Sequence, residues 1–128
     1  MTGSRYKPNQ PARRPGKRPD VAPAYRVLVH HKFMPQYKEL VVRVGLQQAQ
    51  QFWDHLAQTP GQESPIAQTC FLKGKAGRPQ APGWSRTIHY EVTSSARIDY
   101  QYHDEYRIKP DGDAHRVVAI LTINYSSH

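Results

Sequence analysis

One stretch of the chain, residues 72–102, constrains the fold more than any other. It contains two runs in which apolar and polar residues alternate, and these runs flank Ser94 and Ser95. A period of two is typical of a strand with one buried and one exposed face. The stretch therefore predicts a β-hairpin, whose apolar face carries Ile88, Tyr90, Val92, Ile98, Tyr100 and Tyr102.

The two faces select the register of this hairpin. A two-residue loop would place Val92 opposite Arg97 and would mix apolar with charged positions. A three-residue loop, residues 94–96, instead pairs Val92 with Ile98 and keeps the faces apart. We therefore predict the three-residue loop, which also pairs Tyr90 with Tyr100, Glu91 with Asp99 and His89 with Gln101. Its polar face gathers His89, Glu91, Arg97 and Asp99.

The segments around the hairpin predict an α+β fold. Residues 25–33 alternate like a strand, and residues 35–58 are typical of a helical hairpin broken near Gly45. A short strand is expected around residues 69–73, and the apolar run 117–123 is typical of a central strand covered on both faces. Strands segregated from helices along the chain define this class. The expected packing face of the second helix comprises Leu46, Ala49, Phe52, Trp53 and Leu56.

Charge and composition divide the chain in two. The formal net charge of +8 and a pI near 9.8 favour polyanionic partners. Residues 1–24 hold five prolines, six Lys or Arg residues and one acid, with almost no large apolar side chain. Such a segment buries too little surface to offset its ordering entropy, so we predict a disordered basic, Pro-rich arm and a folded domain over residues 25–128.

Several classes of protein find no support in the sequence. The single cysteine, Cys70, excludes an intramolecular disulfide, and we expect it to be a small buried hydrophobe in a reducing, cytoplasmic compartment. No apolar run approaches the length of a membrane span, and no secretory signal is expected. Seven histidines occur without a zinc-binding spacing, so we predict no metal and no cofactor.

A basic segment leads into the polar hairpin face. From Ser64 to Tyr90 the sequence contains no acidic residue. A mobile loop of this charge can follow a phosphate backbone, or it can simply be solvated. The candidate RNA-binding cations are Lys73, Lys75, Arg78 and Arg86.

The order of these elements, with short motifs inside them, resembles the RelE/ParE superfamily of bacterial toxins over residues 25–128. The run 72–74, Leu-Lys-Gly, is similar to the motif that follows the helical hairpin of the family. The run 97–100, Arg-Ile-Asp-Tyr, is similar to the arginine motif after its central turn. Residues 56–60 are similar to the helix end of the family that runs into a proline. The run 84–86, Trp-Ser-Arg, and a histidine near the C-terminus resemble the YoeB branch.

The resemblance implies a fold, an activity and partners. The implied fold is a small antiparallel sheet of about four strands with an N-terminal strand and a two-helix hairpin packed on one face. The implied function is that of the toxin in a type II toxin–antitoxin system. This toxin is a metal-independent endoribonuclease that cleaves mRNA on the ribosome, inhibits growth and is blocked by a cognate antitoxin.

Chemistry and resemblance together indicate site residues. Cleavage through the ribose 2′-hydroxyl needs a base, an acid and a cation beside the phosphate. By resemblance, Arg97 is the active-site arginine and His128 the general acid. His89 and Glu91 occupy positions at which RelE carries lysines, and either of them can serve as the general base. Tyr125 is expected to stack on a base or to cap the last strand. The family lysines are absent, and Asp99 adds a negative charge beside Arg97.

Other interpretations of the same residues stay open. Arg97 can form a cross-strand ion pair with Glu91 or Asp99, and a terminal His128 can be frayed. The main alternative function is a non-catalytic module of the RelE/ParE fold, either a gyrase inhibitor or a nucleic-acid-binding protein. A diverged relative without toxicity is the third alternative.

Overall fold

The computed structural model describes residues 8–64, 68–108 and 111–125. The strands are β1 (Asn9–Pro11), β2 (Arg26–His30), β3 (Gln68–Phe71), β4 (Ile88–Thr93), β5 (Ala96–Tyr106) and β6 (His115–Tyr125). The helices are α1 (Met34–Lys38), α2 (Leu40–Val44) and α3 (Leu46–Gln58). Short 3₁₀ turns span His31–Phe33 and Gly74–Gly77.

The six strands form one mixed sheet in the order β1-β2-β6-β5-β4-β3. All neighbouring strands are antiparallel except β2 and β6, which are parallel. The α+β class is confirmed, but the expected sheet of about four antiparallel strands is corrected in number and in direction. The parallel pair arises because the helices and the other strands together form one long crossover between β2 and β6. β6 is central, as its apolar run predicts.

Three helices replace the predicted helical hairpin. The expected break occurs at Gly45, whose φ of +89° is a conformation that glycine adopts without strain. A second break at Glu39 separates α1 from α2. The longest helix, α3, has 13 residues. Within the described ranges, none of the helices has the length and apolar character needed to cross a bilayer.

The core lies between the helices and one face of the sheet. On α3, the predicted face is buried except at Leu46, which is 46% exposed at the start of the helix. The rings of Phe52 and Tyr90 meet edge to face with centroids 4.9 Å apart. The core side chains of the sheet include Val27, Val29, Ile88, Tyr90, Val92, Ala96, Ile98, Tyr100, Val118, Ile120 and Ile123. Because the apolar positions of β4 and β5 face the helices, their polar positions lie on the opposite side of the sheet.

The N-terminal segment differs from the prediction of a disordered arm where the structure describes it, over residues 8–24. β1 pairs with β2, and Ala12 is buried. The indole N–H of Trp53 donates to the Ala12 carbonyl at 2.8 Å, and the Gln50 amide donates to the Pro15 carbonyl at 2.9 Å. These contacts use backbone carbonyls, which a segment poor in apolar side chains still offers. Residues 1–7 lie outside the described residues.

Arg14 adds a side-chain contact to this docking. Its guanidinium donates to both carboxylate oxygens of Asp54, at 2.8 and 3.0 Å. The hydrogen bond to Asp54 raises the pKa of Arg14 above its ordinary value. Two parallel bonds of this kind fix orientation as well as distance, so they hold the segment against α3.

The hairpin forms with a register that corrects the prediction. Its loop contains only Ser94 and Ser95, and the strands pair Ile88 with Tyr100 and Tyr90 with Ile98. An irregularity between Glu91 and Thr93 inserts one extra residue into β4. Such a bulge restores the alternation of faces that a two-residue loop would otherwise break. The apolar and polar faces are therefore as predicted, whereas the cross-strand partners are shifted by two residues.

Candidate active site

Eight polar side chains form a patch on the sheet face opposite the helices, which we call the open face. Each is half-buried or exposed, and the register aligns them in two rows. The first row is Cys70, His89, Asp99 and Thr122, and the second is Gln68, Glu91, Arg97 and Asn124. The predicted residues His89, Glu91 and Arg97 therefore share one surface on adjacent strands.

His89 and Asp99 form the shortest polar contact of the open face. Nδ1 of His89 lies 2.6 Å from Oδ1 of Asp99, a distance at which the ring N–H donates to the carboxylate. The two side chains keep 30% and 25% of their surface exposed. A carboxylate on Nδ1 fixes the orientation of an imidazole and leaves Nε2 to face a substrate. The pairing depends on the bulge in β4, because the predicted register would have placed His89 opposite Gln101.

Arg97 and Glu91 are cross-strand neighbours in the second row. Nε of Arg97 lies 3.7 Å from Oε1 of Glu91, so the pair is electrostatic rather than a short hydrogen bond. The Arg97 side chain is 47% exposed and that of Glu91 is 26% exposed. An exposed pair at this distance contributes little to stability and can exchange Glu91 for a phosphate. Glu91, rather than Asp99, is the anion that faces Arg97.

One predicted site residue, Tyr125, is not brought to the open face. The ring of Tyr125 packs against the core on the helix side, and its hydroxyl donates to the Gln36 carbonyl at 2.7 Å. Burial raises the pKa of Tyr125 to about 12, and Arg43 lies over the ring at 4.9 Å. These contacts agree with a structural role rather than with base stacking. His128, the expected general acid, lies outside the described residues.

A cleft of about 340 Å³ opens beside His89 and Glu91 at the β3 edge of the sheet. Its other walls come from β3 and from the segment before it, including Glu63, Ser64, Gln68 and Cys70. Cys70 is exposed, which corrects the expectation of a buried hydrophobe. The burial prediction failed because β3 is an edge strand, so only part of its surface can be covered. Sequence patterns gave no signal for Glu63 as part of the site.

The basic loop, residues 72–87, is folded down over the sheet rather than extended into solvent. Gln101, only 2% exposed, accepts from the Gln80 N–H at 3.0 Å and donates to the Arg78 carbonyl at 2.9 Å. It also donates to the Thr87 hydroxyl at 2.9 Å. A buried amide with all these partners anchors the loop at one point. Lys73, Lys75 and Arg78 remain exposed on it.

Arg86 has a different place from the other cations of the basic loop. Its guanidinium donates to the Leu72 carbonyl, at 3.1 and 2.9 Å, and to the Gly74 carbonyl at 2.8 Å. Gly77 packs so closely that an added Cβ would lie 1.9 Å from the Leu72 oxygen. Arg86 therefore shapes the loop, and its RNA-binding role stays a prediction.

The layer beneath the cleft is buried and contains a histidine. His55 is 8% exposed, and its ring lies 5.5 Å from that of Tyr90. Burial lowers the pKa of His55 and raises that of Tyr90, because each charged form loses hydration. The Tyr90 hydroxyl lies 3.3 Å from Oγ of Ser64, a residue of the cleft wall. This layer supports the cleft from below.

Neither metal-binding clusters nor known relatives assign a function to this arrangement. Within residues 8–64, 68–108 and 111–125, no group of three or more His, Cys, Asp and Glu side chains is arranged to hold a metal ion. No protein-family model matches the chain, and no curated protein or solved structure matches it. The likeness to the RelE/ParE toxins therefore rests on sequence motifs alone.

Proposed function

We propose that the open face is the active site of a metal-independent endoribonuclease. The observation that carries the proposal is the pairing of His89 with Asp99 at 2.6 Å, beside Glu91 and Arg97 on the same exposed surface. A base, an acid and a cation are the groups that cleavage through a ribose 2′-hydroxyl requires. The basic loop at the border of this face supplies cations that attract an RNA backbone.

The spacing of the residues suits the two proton transfers. His89 and Glu91 are two positions apart on β4, so their side chains rise from points roughly 7 Å apart on the same face. A phosphate between them would have one group beside the attacking oxygen and the other beside the leaving oxygen. Glu91, a carboxylate, takes the proton of the 2′-hydroxyl. His89, oriented by the contact of its Nδ1 with Asp99, gives a proton to the 5′-oxygen.

Arg97 completes the reaction. When a phosphate enters, its oxygens replace Glu91 as the partner of the Arg97 guanidinium, whose planar donors match two phosphate oxygens. This exchange stabilises the charge that develops on phosphorus and frees the Glu91 carboxylate to act as a base. The bond from the 2′-oxygen to phosphorus forms as the bond to the 5′-oxygen breaks, which leaves a 2′,3′-cyclic phosphate and a 5′-hydroxyl.

The decisive experiment measures cleavage of RNA in the presence of a metal chelator. We expect products that end in 2′,3′-cyclic phosphates, and a loss of about 100-fold or more in the cleavage rate for His89→Ala, Glu91→Gln and Arg97→Ala. Matched controls are Glu105→Gln on β5 and His115→Ala on β6, which should cleave at the rate of the unchanged protein. Equal rates for all five variants, with folding intact, would refute the proposal.

The biological role that we propose is that of a growth-inhibiting toxin that cleaves mRNA on the ribosome and is neutralised by an antitoxin. It is supported by the RelE/ParE-like motifs and by the constellation on the open face. Expression in a bacterium should arrest growth, and mapping of mRNA 5′ ends should reveal new cleavage sites that His89→Ala removes. The alternative is a non-catalytic binding module, which is favoured by the contacts that His89 and Arg97 already make with Asp99 and Glu91. It predicts growth arrest that His89→Ala does not relieve, and DNA damage with intact mRNA if gyrase is the target.

A further inference from the structure

The cleft beside His89 differs in charge from the surface around it. Among the described residues, two carboxylates, Glu63 and Glu91, line it together with neutral hydrogen-bonding side chains, and none of these lining residues is Lys or Arg. The basic loop, by contrast, contains four cations and no acid. A phosphate is repelled from a site with this lining, whereas a neutral group that carries N–H donors is attracted. On an RNA strand, that group is a nucleobase.

The two carboxylates are not equivalent. Glu91 faces Arg97 at 3.7 Å and is part of the proposed chemistry. Glu63 makes no ion pair with any residue in the described part of the chain, and it is exposed at the cleft wall. A carboxylate in this state has both oxygens available as acceptors. Glu63 is therefore the group in the cleft that is best suited to read a base.

An exposed aromatic ring lies next to the cleft. Phe71 is 48% exposed on β3, and it lines a second cavity of about 260 Å³ that shares Glu63, Thr69 and Cys70 with the first. Aromatic side chains at the surface of RNA-binding proteins stack on unpaired bases, and the edges of these bases are then read by hydrogen bonds. Because Phe71 pairs with Ile88, its ring lies on the helix side of the β3 edge, and the two cavities meet around this edge at Glu63.

We propose that this cleft is a nucleobase subsite that selects guanine through Glu63, an inference that rests on the proposed ribonuclease function. Guanine presents two adjacent donors, N1–H and N2–H, which match the two oxygens of one carboxylate. Uracil presents a single N–H between two carbonyl oxygens, which the carboxylates of the cleft repel. The base enters the cleft from an unpaired strand, while its phosphate stays outside over His89 and Arg97.

The test uses nucleotide binding, so that it does not depend on cleavage. Guanosine 3′-monophosphate and uridine 3′-monophosphate are titrated into the whole protein by calorimetry. A paired carboxylate contact discriminates between bases by about tenfold or more, so the guanine nucleotide should bind at least that much more tightly. Glu63→Gln should bring the two affinities within about threefold of each other, because an amide offers only one acceptor atom. Glu105→Gln is the control and should leave the ratio unchanged.

The binding results test the guanine subsite independently of the proposed RNA cleavage. A guanine preference that disappears in Glu63→Gln supports the subsite, even if RNA is not cleaved and the ribonuclease proposal fails. Equal affinities in the unchanged protein, no binding of either nucleotide, or a preference that persists in Glu63→Gln would overturn the subsite. None of these three results bears on RNA cleavage by His89 and Glu91, which the cleavage assay tests separately.

Discussion

Removal of the Gln101 amide should release the basic loop from the sheet. Gln101→Met keeps the length of the side chain but removes its hydrogen bonds to Gln80, Arg78 and Thr87. Two of these bonds join the loop backbone to β5, and each contributes roughly 1 kcal/mol net. We therefore expect the free energy of loop opening to fall by about 2 kcal/mol, which increases the open population roughly 30-fold.

Native-state proteolysis measures this opening. Trypsin cleaves after Lys73 or Lys75 only when the loop leaves the sheet, and its rate follows the open population when the loop opens and closes quickly. Cleavage should be roughly 30-fold faster in Gln101→Met, whereas Gln48→Met, on the exposed side of α3, should behave like the unchanged protein. A rate within twofold of the unchanged protein would show that Arg86 and the backbone contacts hold the loop without Gln101.

Three further perturbations test the packing around the site. Arg14→Ala should lower the free energy of unfolding by about 1 kcal/mol, because it removes the partly exposed pair with Asp54, whereas Arg13→Ala should have little effect. Urea unfolding measures this, and equal midpoints for the two variants would contradict the docking of the N-terminal segment on α3. Burial lowers the pKa of His55, so the free energy of unfolding should be highest above about pH 6.5 and should fall as the pH drops further. His55→Leu should flatten this pH dependence. An unchanged slope in the variant would contradict the role of His55. Tyr100→Phe should lower the free energy of unfolding by about 1 to 3 kcal/mol, because the buried hydroxyl donates at 2.7 Å to the Pro60 carbonyl, which would lose its partner. Thermal unfolding measures this loss, and an unchanged midpoint would contradict the prediction.

The faces of the hairpin could be predicted from the sequence, but its register could not. Alternation identifies which residues share a face, and this was sufficient to bring His89, Glu91 and Arg97 together. The register depended on one inserted residue in β4, and a bulge leaves the apolar and polar pattern on both strands unchanged. The pairing of His89 with Asp99 therefore became visible only in the structure.

The docking of the N-terminal segment also could not be predicted from amino-acid composition. The prediction counted apolar side chains, whereas the segment is held by carbonyls of Ala12 and Pro15 and by the Arg14 guanidinium. Backbone acceptors are present in every sequence, so only the partners on α3 determine whether they are used. The place of Glu63 in the cleft wall could not be predicted either, because it depends on how the edge strand β3 packs against the segment before it.

The parallel pairing of β2 with β6 has a consequence for how the protein is made. Residues 26–29 meet residues 117–120, so the middle of the sheet joins two segments separated by most of the chain. During synthesis β2 leaves the ribosome long before β6, and until β6 emerges only the β1 side of β2 has a strand to pair with. Contacts between such distant segments slow folding, so the nascent chain should expose β2 to chaperones until β6 emerges.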